Sequence, residues 1–285
     1  MRPANFEYFS PTTLQQAAAL LAESEGAGRI LAGGQSLMAA MNLRLSKPSR
    51  LVDLRRIPGL DSIEIGADKV RIGAMTRHAD IIGHDGLHRR IPLFRQAGRN
   101  IAHATIREHG TMGGSMSLAD PAAEWATVLS LLGARLQVVS TEGERWIPVE
   151  EFFVSYYTTA LTENEILTAI EVPLPPQSTY FGFMEFSRQS GAFALAMVAV
   201  ALQVNAGRVD HIKGCVGACS ARPALLQLDA PGGALPDDQA VDASFDALGL
   251  EPADDIHAAA QDRKQIAKTL LRRCLAAAYA QSKGA

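Results

Sequence analysis

Leu14, Ala17, Ala18 and Leu21 recur at helical spacing behind Ser10-Pro11. This predicts a helix with Ser10 as N-cap and Pro11 in its first turn. Arg29 to Ala32 then reads as a short strand that runs directly into Gly33-Gly34-Gln35-Ser36. A helical stretch follows, and Leu51 to Leu54 reads as the next strand, giving a strand-loop-helix-strand order. Beyond Pro58 the pattern predicts a strand at Val70–Ile72, a short helix at Met75–Ile82 and a longer one at Pro92–Ile106. A glycine-rich loop at Gly110–Ser115 precedes an alanine-rich helix at Pro121–Leu132. Strands are expected at Arg135–Ser140 and Glu165–Val172.

The cluster Pro173-Leu174-Pro175-Pro176 is the best candidate boundary. After it, Phe181–Arg188, Ala194–Val204 and Val209–Gly217 read as strands, with Asn205-Ala206-Gly207 turning between the last two. A long helix from about Ile256 to Ala280 closes the chain, with Asp254 and Asp255 at its positive end. The expected class is α+β. A domain over 1–175, in lobes of about 1–57 and 58–175, precedes a small domain over 176–285 built on an antiparallel sheet with helices.

Composition narrows the function. A length of 285 residues suits two domains, and 47% hydrophobic residues suffice for packed cores. The net charge of -3 and the lack of any Lys/Arg-rich run argue against a nucleic-acid partner. No apolar run opens the chain, so no signal peptide is expected. The longest apolar stretch, Phe193–Leu202, is too short to span a bilayer. The expected location is cytoplasmic. Cys215, Cys219 and Cys274 are too few for a cluster or zinc site and read as buried thiols. No metal site is expected.

The chemistry lies in two glycine pairs at element junctions: Ala32-Gly33-Gly34-Gln35-Ser36 and Thr111-Met112-Gly113-Gly114-Ser115. Adjacent glycines permit positive φ and close backbone approach, so consecutive N–H groups can face an anionic phosphate. Ser36, Thr111 and Ser115 add hydroxyl donors. Neither segment is a Walker A or a G-x-G-x-x-G motif. Asp120 suits a helix N-cap with Pro121 after it. Glu124 suits either a ribose hydroxyl partner or a solvated helix face. Arg107 suits either phosphate neutralisation or a surface ion pair. There is no G-x-S-x-G and no His-x-x-x-His with an acidic partner, so no catalytic acid, base or nucleophile is assigned.

The runs LAGGQSLMAAMNLRLSKPSRLVDL and IREHGTMGGSMSLADPAAE resemble the FAD-binding medium subunits of the xanthine dehydrogenase and carbon monoxide dehydrogenase family of molybdenum hydroxylases. Phe152-Phe153, Leu161, Glu165-Ile166-Leu167, Phe186-Ser187-Arg188 and Gly249-Leu250-Glu251-Pro252 extend the resemblance over essentially the whole chain. It implies a two-lobed FAD-binding domain and a small C-terminal domain. By matching position, it assigns Ala32, Gly33, Gly34, Gln35 and Ser36, with Thr111, Gly113, Gly114 and Ser115, to the pyrophosphate. Glu124 matches the ribose-side acid, Ile101 and Leu161 match apolar positions on the flavin, and Phe193 matches an aromatic near the isoalloxazine. Ala192 stands where the family often has Asp, and Ser117-Leu118 where Ala-His is common.

The resemblance further implies an electron relay. A large molybdopterin-binding subunit would oxidise the substrate, and a small 2Fe–2S subunit would carry the electrons to FAD in this chain and on to an acceptor. The alternatives are a self-contained flavin oxidase on a related fold and a flavin-free scaffold. The substrate and the final acceptor are not legible.

Overall fold

The computed structural model describes residues 2–284. The N-terminal stretch holds β1 (Glu7–Phe9), α1 (Leu14–Ala22), β2 (Gly28–Leu31), α2 (Leu37–Asn42) and β3 (Arg50–Asp53). The strands form a parallel sheet in the order β1-β3-β2, so the predicted strand-loop-helix-strand unit is present. The stripe Ala17, Ala18 and Leu21 is buried with Val52 and Leu54. The cap of α1 differs from expectation. Thr13 takes the extended N-cap backbone, and its Oγ1 accepts from the Gln16 N–H at 3.2 Å. Ser10 and Pro11 lie before the helix because Thr13, one step from the first apolar helical position, satisfies the free N–H.

The following stretch comprises β4 (Ile63–Ile65), β5 (Lys69–Gly73), α3 (His78–Gly83), α4 (Asp85–Arg90), α5 (Leu93–Gly98), α6 (Ala104–Arg107), α7 (Met112–Leu118), α8 (Glu124–Leu132), β6 (Arg135–Ser140), β7 (Gly143–Pro148), α9 (Val149–Phe152), β8 (Phe153–Ser155), β9 (Thr158–Thr159) and β10 (Ile166–Pro173). Its main sheet is antiparallel in the order β4-β5-β10-β6-β7. Helix α8 carries buried residues from Trp125 through Leu131, the pattern of a helix enclosed on several sides.

Two predicted helices are shorter than the apolar pattern suggests. The stretch Pro92–Ile106 divides into α5 and α6, with Ala102 at φ 40° between them. There Arg107 Nη1 donates to the carbonyls of Ile101 and Ala102, each at 2.8 Å, which holds the break open. Helix α8 begins at Glu124 rather than Pro121. Asp120 Oδ1 accepts from the Ala122 N–H at 2.9 Å and closes a turn ahead of the helix instead of capping it.

The C-terminal part has β11 (Thr179–Ser187), β12 (Ala194–Asn205), β13 (Arg208–Gly217), β14 (Ala224–Leu228), α10 (Asp238–Asp246) and α11 (Ala260–Ser282). The four strands pair antiparallel in chain order. One face packs under α11, burying Leu271, Cys274 and Ala278 with Val198 and Val200. The other face joins the core around α8 and β10, which includes Phe181, Ala199 and Cys215. The last helix begins at Ala260 rather than near Ile256, and Asp254 Oδ1, six residues ahead, accepts from the Ala260 N–H. All three cysteines are buried free thiols, and burial pushes each thiol pKa up. Among the described residues, no helix is long and apolar enough to cross a membrane.

Candidate functional site

The first glycine segment lies between β2 and α2. Gly34 adopts φ 72°, a conformation that side-chain-bearing residues rarely accept. Gly33 answers a different demand. A Cβ there would stand 2.2 Å from the His109 carbonyl oxygen and 2.8 Å from Gly110 Cα. The two glycine segments are therefore in backbone contact. The N–H groups of Gly33 through Leu37 donate to no acceptor among the described residues, whereas the Met38 N–H returns to the Gly34 carbonyl. Gln35 Nε2 folds back onto the Gly33 carbonyl at 2.9 Å. Ser36 precedes α2 with its hydroxyl unused as a cap. The result is a short run of free donors at a strand-to-helix junction.

The second segment is not the open loop that its glycines suggested. Thr111 is the N-cap of α7, and Gly113, Gly114 and Ser115 lie in its opening turns. The Met112 N–H donates to the Thr76 carbonyl at 2.9 Å and the Gly113 N–H to Ala74 at 2.8 Å. The Gly114 N–H reaches Thr111 Oγ1 at 3.1 Å, and the Ser115 N–H reaches the Thr111 carbonyl at 3.0 Å. Neither Gly113 nor Gly114 has positive φ. Gly113 is small because a Cβ would stand 2.5 Å from Ala74 Cβ. Here the N–H groups of Met112 to Ser115 are already satisfied, and the Thr111 and Ser115 O–H donors have no acceptor among the described residues.

Glu124 opens α8, half-buried. Burial, with Glu185 and Asp120 nearby, pushes its carboxyl up to about 8. Trp125, its neighbour, donates to His78 Nδ1 at 2.9 Å, and the His78 N–H donates to the Gly110 carbonyl at 3.0 Å. Glu124 is thus tied to the second segment. Ile101 is buried in the core around α8, against which Leu161 packs. Phe193 is 72% exposed in the β11–β12 turn. In that turn, the Cβ position at Gly191 would lie 2.6 Å from the His103 ring. The structure thus joins the two glycine segments and, through Trp125 and His78, the start of α8, while Leu161 lies against the core and Phe193 is exposed in a turn that touches His103. Arg107 Nη1 is held by the carbonyls of Ile101 and Ala102 rather than by a carboxylate.

Sequence reasoning missed two residues here. His78 was one histidine among seven, and nothing local marked it. Glu185 sits in β11 on the same face as Phe181 and Phe183. Its Oε2 is buried without a partner, and burial pushes its carboxyl up to about 7. A strand glutamate ordinarily reads as solvated, and the signal here was its parity with two core phenylalanines.

An α+β scaffold thus brings two glycine segments into backbone contact, one of them with free N–H donors. Residues 4–175 match the model described as FAD binding domain in molybdopterin dehydrogenase. Residues 181–278 match CO dehydrogenase flavoprotein C-terminal domain. The nicotine 6-hydroxylase medium subunit of Paenarthrobacter nicotinovorans is 36% identical, over 99% of this chain and 100% of that one. The carbon monoxide dehydrogenase medium chain of Hydrogenophaga pseudoflava is 32% identical, over 99% of each. A quinoline 2-oxidoreductase structure from Pseudomonas putida 86 superposes with a TM-score of 0.92 at 30% identity, covering 99% of each chain. The chain belongs to the FAD-binding medium subunits of the molybdenum hydroxylase family.

Proposed function

We propose that this chain holds one FAD non-covalently across the two glycine segments and relays electrons within a molybdenum hydroxylase complex. The observation that carries this reading is the run of free N–H donors from Gly33 to Leu37, pressed against the second segment. These residues fit a diphosphate. The Gly33, Gly34, Gln35 and Ser36 amides, beside Ala32, would hold one side of it. The Thr111 and Ser115 hydroxyls, on the turn built by Gly113 and Gly114, would hold the other. The Glu124 carboxyl would accept from a ribose hydroxyl. Ile101 and Leu161 would support the flavin, and Phe193 would cover it from the C-terminal part.

When bound, FAD supplies the ability to take up and release electrons singly or in pairs. The chain's own residues orient it, limit water access and fix its distance from the partners. The large molybdopterin subunit and the small 2Fe–2S subunit supply the chemistry upstream. We place the complex in the cytoplasm, and we divide the chain into a cofactor domain over 1–175 and a C-terminal domain over 176–285. A cavity of about 510 Å³ among Ser130, Val149, Phe153, Arg222 and Leu250 involves none of the proposed cofactor residues. It supplies no substrate chamber beside them.

One observation favours the rival, a self-contained oxidase. Glu124 and Glu185 are carboxyls pushed toward neutral pKa values, as an acid–base pair would be. Anaerobic flavin bleaching decides between the readings. Aldehydes and N-heterocycles should leave the isolated subunit oxidised and should bleach it only after reconstitution with both partners. Rapid bleaching of the isolated subunit would establish the oxidase instead.

A further inference from the structure

His78 stands outside every role assigned so far, yet it joins two halves of the cradle. It is 5% exposed and opens α3. Its backbone N–H donates to the Gly110 carbonyl at 3.0 Å. Its Nε2 lies 2.7 Å from the place a Cβ on Gly110 would occupy. Its Nδ1 accepts from the indole N–H of fully buried Trp125 at 2.9 Å, with ring centroids 6.1 Å apart. Trp125 follows Glu124 directly. The stretch leading into His78 is itself a rail for the second segment. Ala74 and Thr76 accept from Gly113 and Met112, and Arg77 bridges Thr111.

We propose that His78 is a positioning residue for the cofactor, locking the Gly110–Ser115 turn to the helix that carries Glu124. The proposal rests on the assignment of FAD to the two glycine segments. Its chemistry follows from the donor inventory. An indole N–H can only donate, so Nδ1 must be bare for the link to exist. A second proton on the ring would set N–H against N–H in a dry site. Burial, aided by the Arg107 guanidinium on α6, pulls the ring down to about 4 and keeps it neutral. Trp125 and the Gly110 turn bring no charge to it. The link therefore persists through the neutral range and opens in acid.

The test uses the full chain loaded with FAD. His78→Asn places an amide oxygen where Nδ1 stands and cannot titrate, whereas His78→Leu strands the Trp125 N–H. His78→Leu should raise the FAD Kd about tenfold or more, the scale of one orphaned buried donor. His78→Asn should stay within about threefold of wild type. The wild type should release FAD with a midpoint near pH 4, together with a change in tryptophan emission. His78→Asn should retain FAD through that step. Wild-type affinity in folded His78→Leu, or acid release in His78→Asn that follows the wild type, overturns the proposal. If His78→Leu does not fold, the acid-release profile of His78→Asn decides. If Gly33→Val keeps wild-type FAD affinity, the site assignment itself has failed. If Gly33→Val loses FAD while both His78 variants bind and release it as wild type does, only the His78 proposal has failed.

Discussion

The two glycine segments look alike in sequence and work differently in the structure. The first leaves the N–H groups of Gly33 to Leu37 free, while the second consumes those of Met112 to Ser115 on Thr76, Ala74 and Thr111. In the first, glycine serves a positive φ at Gly34 and a backbone crossing at Gly33. In the second, glycine lets a capped helix press against Ala74. The first presents free amides, and the second presents the hydroxyl-bearing Thr111 and Ser115 at the opening of a helix. A glycine pair thus marks close approach of some backbone, and only the hydrogen-bond tally says whether the approaching group is a ligand or the protein itself.

The largest effect expected from breaking this arrangement is at Gly33. Gly33→Val would push a branched side chain into the His109 carbonyl and prise the segments apart. FAD binding should be lost, and stability should fall by about 1–3 kcal/mol, the cost of overpacking. Isothermal titration and thermal melts would check both. Gly114→Val should act more gently. Its Cβ would meet Thr111 Oγ1 at 2.9 Å and Ala32 Cβ at 3.7 Å, disturbing one cap rather than a backbone crossing. A cap is worth roughly 0.5–2 kcal/mol. FAD affinity should drop without disappearing. Equal effects at the two glycines would erase the distinction drawn between the segments.

Glu124→Gln should give the smallest and most pH-dependent effect. The folded carboxyl is raised from 4.5 to about 8, so the folded protein disfavours its charge. The resulting cost is absent below pH 4.5, grows as pH rises and is complete above 8. The FAD-free variant should therefore match wild type in acid. Above pH 8 it should melt higher by about 2–4 °C, if roughly 1 kcal/mol is relieved. For FAD the sign reverses. A ribose hydroxyl favours the ionised carboxylate, so wild-type affinity should rise as pH climbs toward 8 and level off above it, and that slope should vanish in Glu124→Gln. A variant with wild-type affinity and slope would remove Glu124 from the site.

Much of this was legible in the sequence. Three of the four strands of the C-terminal sheet were read nearly to their ends, because long apolar runs bounded by turn residues leave little choice of pairing, whereas the short edge strand β14 was not read. The strand-loop-helix-strand unit was read for the same reason. Helix starts were less legible. Ser10, Thr13 and Asp120 are all competent caps, and backbone geometry selected Thr13 for α1 while leaving Asp120 in a turn. The break between α5 and α6 depends on Arg107 reaching carbonyls five and six residues back, which no apolar periodicity records. Both glycine segments were seen, but not the satisfied state of the second, whose acceptors at Ala74 and Thr76 lie in a different stretch of chain. His78 and Glu185 matter through partners 47 and 61 residues away, so their roles were set by folding.

Amide hydrogen exchange on the FAD-free and FAD-bound subunit tests the contrast between the segments most directly. The amides of Met112 to Ser115 should be protected before FAD is added, because each already has an acceptor. Those of Gly33 to Leu37 should exchange freely at first and slow by about tenfold or more once FAD is bound. Protection at Gly33 to Leu37 that does not change with FAD would contradict the account.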